Sequence, residues 1–440
     1  MTLYRLLLIA CFLSLFTNCS GGFLGEKEAG IRLEGERISI NSLEGDLTAD
    51  DSVKSIDVTL PYPKENISWL QPGGNSIHVM QHLALADIPA KVWSTSSGDG
   101  STQDAIVLAS PLVQDYRVMT LGREGNLRTF NVSDGSLIWK QRLESEDKDM
   151  VYSGAIAANL ESIFVALGSG ELICLRVLDG KEVWRTSTKN PLRGGPTVSG
   201  GRVFVVTIDN KTLSFDSKDG KLLWSHSGTT ETAALIGGAS PAVKDNVVIV
   251  TYSSGEVFAL KTETGRVFWA DHLGPNNGFN GVSNIADING SPVIDRSLVL
   301  SISNSGRLTA IDFKTGRRVW ERSVAGANTP WVAGDFIFVI SNDGEVLCIT
   351  RNRGLIKWVK QMPQFESSDD KEGIIRYAGP VLAGDRLLVV SSLGEIYSLS
   401  PFKGTILGKV DVSASIFIPP IVAGKTLFVL DDDGTLTAFR

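Results

Sequence analysis

One spacing rule governs most of this chain. Seven glycines follow a turn residue and precede a strand position: Gly135, Gly180, Gly220, Gly265, Gly316, Gly354 and Gly404. Four residues after the first six stand Trp139, Trp184, Trp224, Trp269, Trp320 and Trp358, and Gly408 takes the seventh tryptophan slot. Ten residues before each glycine is another turn residue: Gly125, Gly170, Asn210, Gly255, Gly306, Gly344 and Gly394, with Gly434 as an eighth. Asn210 is the expected substitute, because Asn tolerates positive φ next best after Gly. Fourteen residues before these eight lie Pro111, Ile156, Pro196, Pro241, Pro292, Pro330, Pro380 and Pro420. The register is P-x13-G-x9-G-x3-W, and such a period marks a repeat architecture. A chain of 440 residues, long for one ordinary domain, is then accounted for as a single closed array.

The segments between the marks read as β. Val203–Ile208, Val247–Tyr252 and Leu387–Ser392 are short β-branched runs bounded by turns. Each unit gives four strands: after Pro, before the first Gly, between the glycines, and through Trp. Four strands per ~45 residues is a propeller blade. Residues 420–440 supply only three strands, while an unpaired Trp strand, Lys91-Val92-Trp93, precedes the first unit. Joining the two predicts an all-β, eight-bladed propeller of four-stranded antiparallel blades. Its ring closes by pairing N-terminal with C-terminal strands, which removes an open edge.

Four residues after each first turn residue stand Thr129, Cys174, Ser214, Ala259, Ala310, Cys348, Ser398 and Ala438, all small. Cys174 and Cys348 are thereby explained as small buried residues on different blades, too far apart for the ~7 Å Cα limit of a disulfide.

Composition places the rest. Hydrophobic residues are 42% and charged residues 21%, as in a globular chain, and the net charge of −7 gives no support to nucleic-acid binding. Residues 1–19 read as an export signal: Arg5, then the apolar run Leu6–Phe16, too short for the ~20 residues of a membrane span, then Cys19. The pattern Phe16-Thr17-Asn18-Cys19 resembles a lipoprotein signal with Cys19 as the acylated residue. Asn18 stands where a small residue is usual, so a plain secretory signal with an incidental Cys is the alternative. Ser20 lacks the Asp that holds many lipoproteins at the inner membrane, which favours the outer one. Residues 20–68 read as an acidic tether, with nine acidic against four basic residues over 20–60. The propeller is expected over 69–440.

Strand parity puts the Asp-Gly turns before each Trp strand on one face. The first-Gly turns and the connections between blades lie on the other. The connections vary in length, and variable loops on a rigid ring are where binding is usually placed.

Chemistry-bearing motifs are few. His78 and His82 have i,i+4 spacing without the Glu of a zinc protease helix, and packing is the simpler reading. The same holds for His226 and His272. Gly73-Gly74, Gly194-Gly195 and Gly237-Gly238 lack the lysine of a phosphate loop. Asp431-Asp432-Asp433 before Gly434 reads as an acidic hairpin turn, and Asn66-Ile67-Ser68 is a glycosylation sequon by composition only. No catalytic, cofactor-binding or metal-binding residue is assigned.

The strands DGSLIW, DGKEVW and DGKLLW resemble the pyrroloquinoline-quinone-type propeller repeat. Two families with that ring matter. Many quinoprotein dehydrogenases carry an adjacent Cys-Cys pair, and this chain has none. The outer membrane protein assembly factor BamB family is similar over signal, tether and all eight blades. The entry Trp69-Leu70-Gln71-Pro72-Gly73-Gly74-Asn75, with His78 and His82-Leu83-Ala84-Leu85, looks like its α-proteobacterial branch. That resemblance implies a non-enzymatic, cofactor-free scaffold, lipid-anchored at the periplasmic face of the outer membrane. It would dock on the POTRA domains of BamA within the BAM complex and assist insertion of unfolded β-barrel substrates. The family's Leu-Arg-Gly contact segment is matched by Leu192-Arg193-Gly194, which makes Leu192 and Arg193 the expected partner-binding residues. A structural connector is the alternative reading of this segment. The family's acidic contacts in the next loop have no match in Leu235-Ile236-Gly237-Gly238. A quinone-dependent dehydrogenase and a ligand-binding propeller are the competing functions.

Overall fold

The computed structural model describes residues 47–440 apart from 88, 103–105, 144–153, 232–233, 275–285 and 413. The chain divides into two units, of which the second, Thr48–Arg440, holds nearly all of the described residues. The signal, Cys19 and the start of the tether lie outside the described residues.

The second unit contains eight four-stranded antiparallel sheets. The third is representative: Thr197–Ser199, Arg202–Val206, Lys211–Asp216 and Leu222–Ser227, paired in that order. The eighth takes Ile421–Ala423, Thr426–Leu430 and Thr435–Phe439 from the C-terminal end. Its outer strand is Lys91–Ser96, with Trp93 opposite Ala438 and Ser96 opposite Thr435. The predicted ring and its seam are both present. A small two-stranded sheet, Phe365–Ser367 with Glu372–Ile374, stands in the connection between blades six and seven.

The spacing rule has a packing cause. Each tryptophan ring lies over the second-glycine turn of the next blade: Trp184 over Gly220, Trp224 over Gly265, Trp320 over Gly354. Cβ atoms at the seven second glycines would sit only 2.5–2.7 Å from the neighbouring side chain, and φ there is 65–72°. Only glycine meets both demands. The indole N–H then donates into the next blade, as from Trp224 to Thr262 O at 2.8 Å and from Trp269 to Phe313 O at 2.9 Å. The small slot faces the same ring from within the blade: Ser214 pairs Trp224, Ala259 pairs Trp269 and Cys348 pairs Trp358.

Gly408 becomes intelligible on this basis. It pairs Ser398 in the tryptophan position. The blade that follows takes its outer strand from Lys91–Ser96, so it offers no turn glycine to receive an indole.

The channel is lined by the inner strands, whose free edges would otherwise leave backbone groups unpaired. Residues 66–83 run round it and bond each blade in turn; we call this segment the clasp. Asn66 O accepts from Gly424 N–H in blade eight at 2.7 Å. Trp69 exchanges both backbone bonds with Val113 in blade one, at 2.7 and 2.9 Å. Leu70 O accepts from Ala158 of blade two, Gln71 Oε1 from Val198 of blade three, and Ser76 O from Val243 of blade four. Ile77 O accepts from Ile294 of blade five, Gln81 Oε1 from Gly334 of blade six, and Leu83 N–H donates to Leu382 O of blade seven.

The expected tether of 20–68 differs over its last part, because the folded unit starts at Thr48 rather than Trp69. Asp50 N–H donates to Ile356 O at 2.8 Å, and its carboxylate accepts from Ile356 N–H at 2.7 Å. Val53 and Val58 are buried. An average over the whole acidic stretch hides two apolar anchors and a carboxylate that caps an outer strand.

Candidate functional site

The connections that deliver the chain into each inner strand converge on one end of the channel. They enclose a cavity of about 280 Å³ lined from all eight blades, through Ser110, Ala155, Gly195, Ser240, Ser291, Pro330, Pro380 and Pro420 among others. The clasp adds Trp69, Pro72, Gly73 and His78 to the lining. This is the face that the sequence marks as variable.

Leu192 and Arg193 sit at this mouth, but their side chains face inward. Leu192 is 1% and Arg193 5% exposed. Leu192 packs with Phe164, Val205 and other core residues of blades two and three, and Arg193 N–H donates to Val206 O at 2.8 Å. The Arg193 guanidinium is ion-paired with the fully buried Asp287 carboxylate. It also donates to Gly237 O at 2.9 Å and to Asn289 Oδ1 at 3.3 Å. Asp287 in turn accepts from Leu235 N–H at 2.7 Å. In this conformation Leu192 packs into the core, and Arg193 with Asp287 joins three inter-blade loops to one another. The carboxylate that pairs Arg193 comes from the connection between blades four and five, across 94 residues, a pairing that linear spacing does not reveal.

The glycine pairs have the same purpose. A Cβ on Gly238 would meet the Arg193 side chain at 2.5 Å, and one on Gly195 would meet Pro72 at 2.5 Å. They allow close approach of loops, not a phosphate cradle. What the mouth does offer outward is apolar: Ile236 is 52% and Phe417 40% exposed. The sequence signal for these was an apolar residue inside a polar or Gly/Pro-rich connection.

The histidines are bonded. His78 is buried with φ 58°, and its Nδ1–H donates to Pro292 O at 2.7 Å. Burial pulls its pKa down to about 4 against the opposing effect of that bond, so the ring is neutral at pH 7. His82 donates from Nδ1 to Pro61 O at 2.8 Å and accepts the Asp385 N–H on Nε2 at 3.1 Å. His226 bonds the Tyr252 hydroxyl at 3.0 Å, and His272 bonds Ser254 O at 3.0 Å. Asp431 Oδ1 accepts from Thr435 N–H at 2.8 Å within its hairpin. Asn66 donates to Val422 O at 2.8 Å as part of the clasp. Among the described residues, no group of three or more His, Cys, Asp or Glu side chains is placed to hold a metal ion.

Residues 123–360 and 365–440 match the family model of outer membrane protein assembly factor BamB. The chain belongs to the BamB family. The BamB of Yersinia pestis is 25% identical over 358 residues, covering 80% of this chain and 88% of that protein. That of Escherichia coli K12 is 24% identical over 354 residues, covering 79% and 88%. Among solved structures, BamB from Moraxella catarrhalis superposes with a TM-score of 0.67 at 20% identity, over 80% of this chain and all of that one. A europium-containing methanol dehydrogenase gives the same TM-score at 13% identity, over 83% and 89%. These two likenesses concern the fold alone.

Proposed function

We propose that this protein is a non-enzymatic scaffold subunit of the outer-membrane β-barrel assembly complex. It is held at the periplasmic face of the outer membrane by a lipid on Cys19, and it docks its mouth face on the POTRA domains of BamA. The observation that carries this reading is the family match across most of the propeller. Relatives named as outer membrane protein assembly factors align over four fifths of the chain. The mouth supports it physically. Exposed Ile236 and Phe417 give apolar anchors on a rim stiffened by Arg193 and Asp287, and interfaces draw their energy from a few such buried anchors. Leu192 and Arg193 then act on the partner through loop position rather than by touch.

Affinity capture from solubilised membranes tests it. The wild-type chain should recover BamA, and Ile236→Asp with Phe417→Asp should cut recovery about tenfold or more. Recovery of no BamA by the wild type would remove the docking reading. Cys19→Ser should move the protein from the membrane to the soluble periplasmic fraction; unchanged membrane retention would remove the lipid assignment.

A further inference from the structure

Three side chains that line the mouth cavity each carry a polar atom with no partner in the protein: Trp69 Nε1, His78 Nε2 and Arg193 Nη1. None of the three residues is more than 5% exposed. Buried polar groups are ordinarily paired, so three orphans on residues that line one cavity need an explanation. Their chemistry is complementary and unequal. Trp69 and Arg193 are donors only. His78 gives its Nδ1–H to Pro292 O, so Nε2 of the neutral ring is an acceptor. The surrounding wall is apolar, with Leu108, Ile236, Trp331 and Phe417 on it. Trp69 is further held by stacking on Trp331, with centroids 6.4 Å apart. Backbone bonds to most of the blades hold the clasp in place, and the His78 ring is fixed by its bond to Pro292 O.

We propose that the mouth cavity is a binding site for a secondary amide on an apolar carrier, the repeating unit of a polypeptide loop. The amide carbonyl accepts from Trp69 and Arg193, and its N–H donates to His78 Nε2. The inference rests on the docking reading above for its source, a loop of the partner protein. Site and chemistry stand on the cavity alone. An anion is disfavoured because Asp287 already neutralises Arg193, and a bare hydrocarbon would leave all three atoms unpaired.

A matched pair of probes separates the possibilities: N-isobutylacetamide and isobutyl acetate, similar in shape, with the ester lacking the N–H. The full chain carries ¹⁵N in its indoles, and the Trp69 Nε1–H resonance is assigned by its loss in Trp69→Phe. The amide should shift that resonance saturably and bind about five- to tenfold more tightly than the ester. Trp69→Phe removes a donor to the carbonyl that both probes share, so it should weaken both alike. His78→Asn tolerates the positive φ but is too short to reach. It should bring the amide-to-ester ratio close to one. Equal binding of the two probes by the wild type, or no shift at Trp69, would overturn the proposal and leave water as the partner of these atoms. Saturating amide should also release captured BamA. Capture of BamA without any amide binding sinks this inference alone. Amide binding without capture sinks the docking reading and the partner loop as the source, and leaves the site and its chemistry standing.

Discussion

At the scale of single residues, the glycine under each tryptophan carries the sharpest expectation. Gly220→Ala forces a Cβ to 2.5 Å from the Trp184 ring at φ 70°. Overpacking and the left-handed backbone together should cost about 2–4 kcal/mol in denaturant midpoint measurements. Gly408 is the control: nothing lies within 4 Å of a Cβ there, so Gly408→Ala should change stability by no more than about 0.5 kcal/mol. Arg193→Ala strands the buried Asp287 charge and should cost about 3–5 kcal/mol. Arg193→Met with Asp287→Leu should recover about half of that, since Leu235 N–H and Gly237 O lose their partners as well. A double variant as unstable as the single would show that the pair is not the source. The repeat made the glycine and tryptophan roles legible. It did not reveal Asp287, because nothing in the local pattern distinguishes a loop carboxylate that folds inward.

At the scale of elements, the clasp is the feature sequence reading did not see. Its hydrogen bonds leave from a stretch with neither strand alternation nor helical period, because one residue or two meets each blade. Its titration is a usable handle. The buried His78 ring has its pKa pulled down to about 4, whereas the unfolded ring titrates near 6.5. The unfolded state therefore binds the extra proton first as pH falls. This group's share of stability is intact above pH 6.5 and is lost progressively down to pH 4, by about 3 kcal/mol in all. His78→Asn should remove most of that slope. An unchanged pH profile between 6.5 and 4 would show that the ring is solvated in solution.

At the scale of the molecule, the seam decides cooperativity. The outer strand Lys91–Ser96 is the N-terminal contribution to blade eight, and Ser94 pairs Thr437 within it. Ser94→Pro breaks this ladder and reopens an edge. Melting should shift down by several degrees as one transition, with exchange protection lost in blades one and eight together. Loss confined to Lys91–Ser96 would mean that the clasp alone holds the ring.

Blade number, strand order, ring closure and the outward faces of the turns were all fixed by linear spacing, because each blade packs only on its neighbours and repeats the same contacts at the same intervals. The inward turn of Leu192 and Arg193, the clasp round the channel and the unpaired atoms over it were decided only in three dimensions. Each brings together residues from several blades, or from segments up to about 360 residues apart, and no periodicity encodes such meetings.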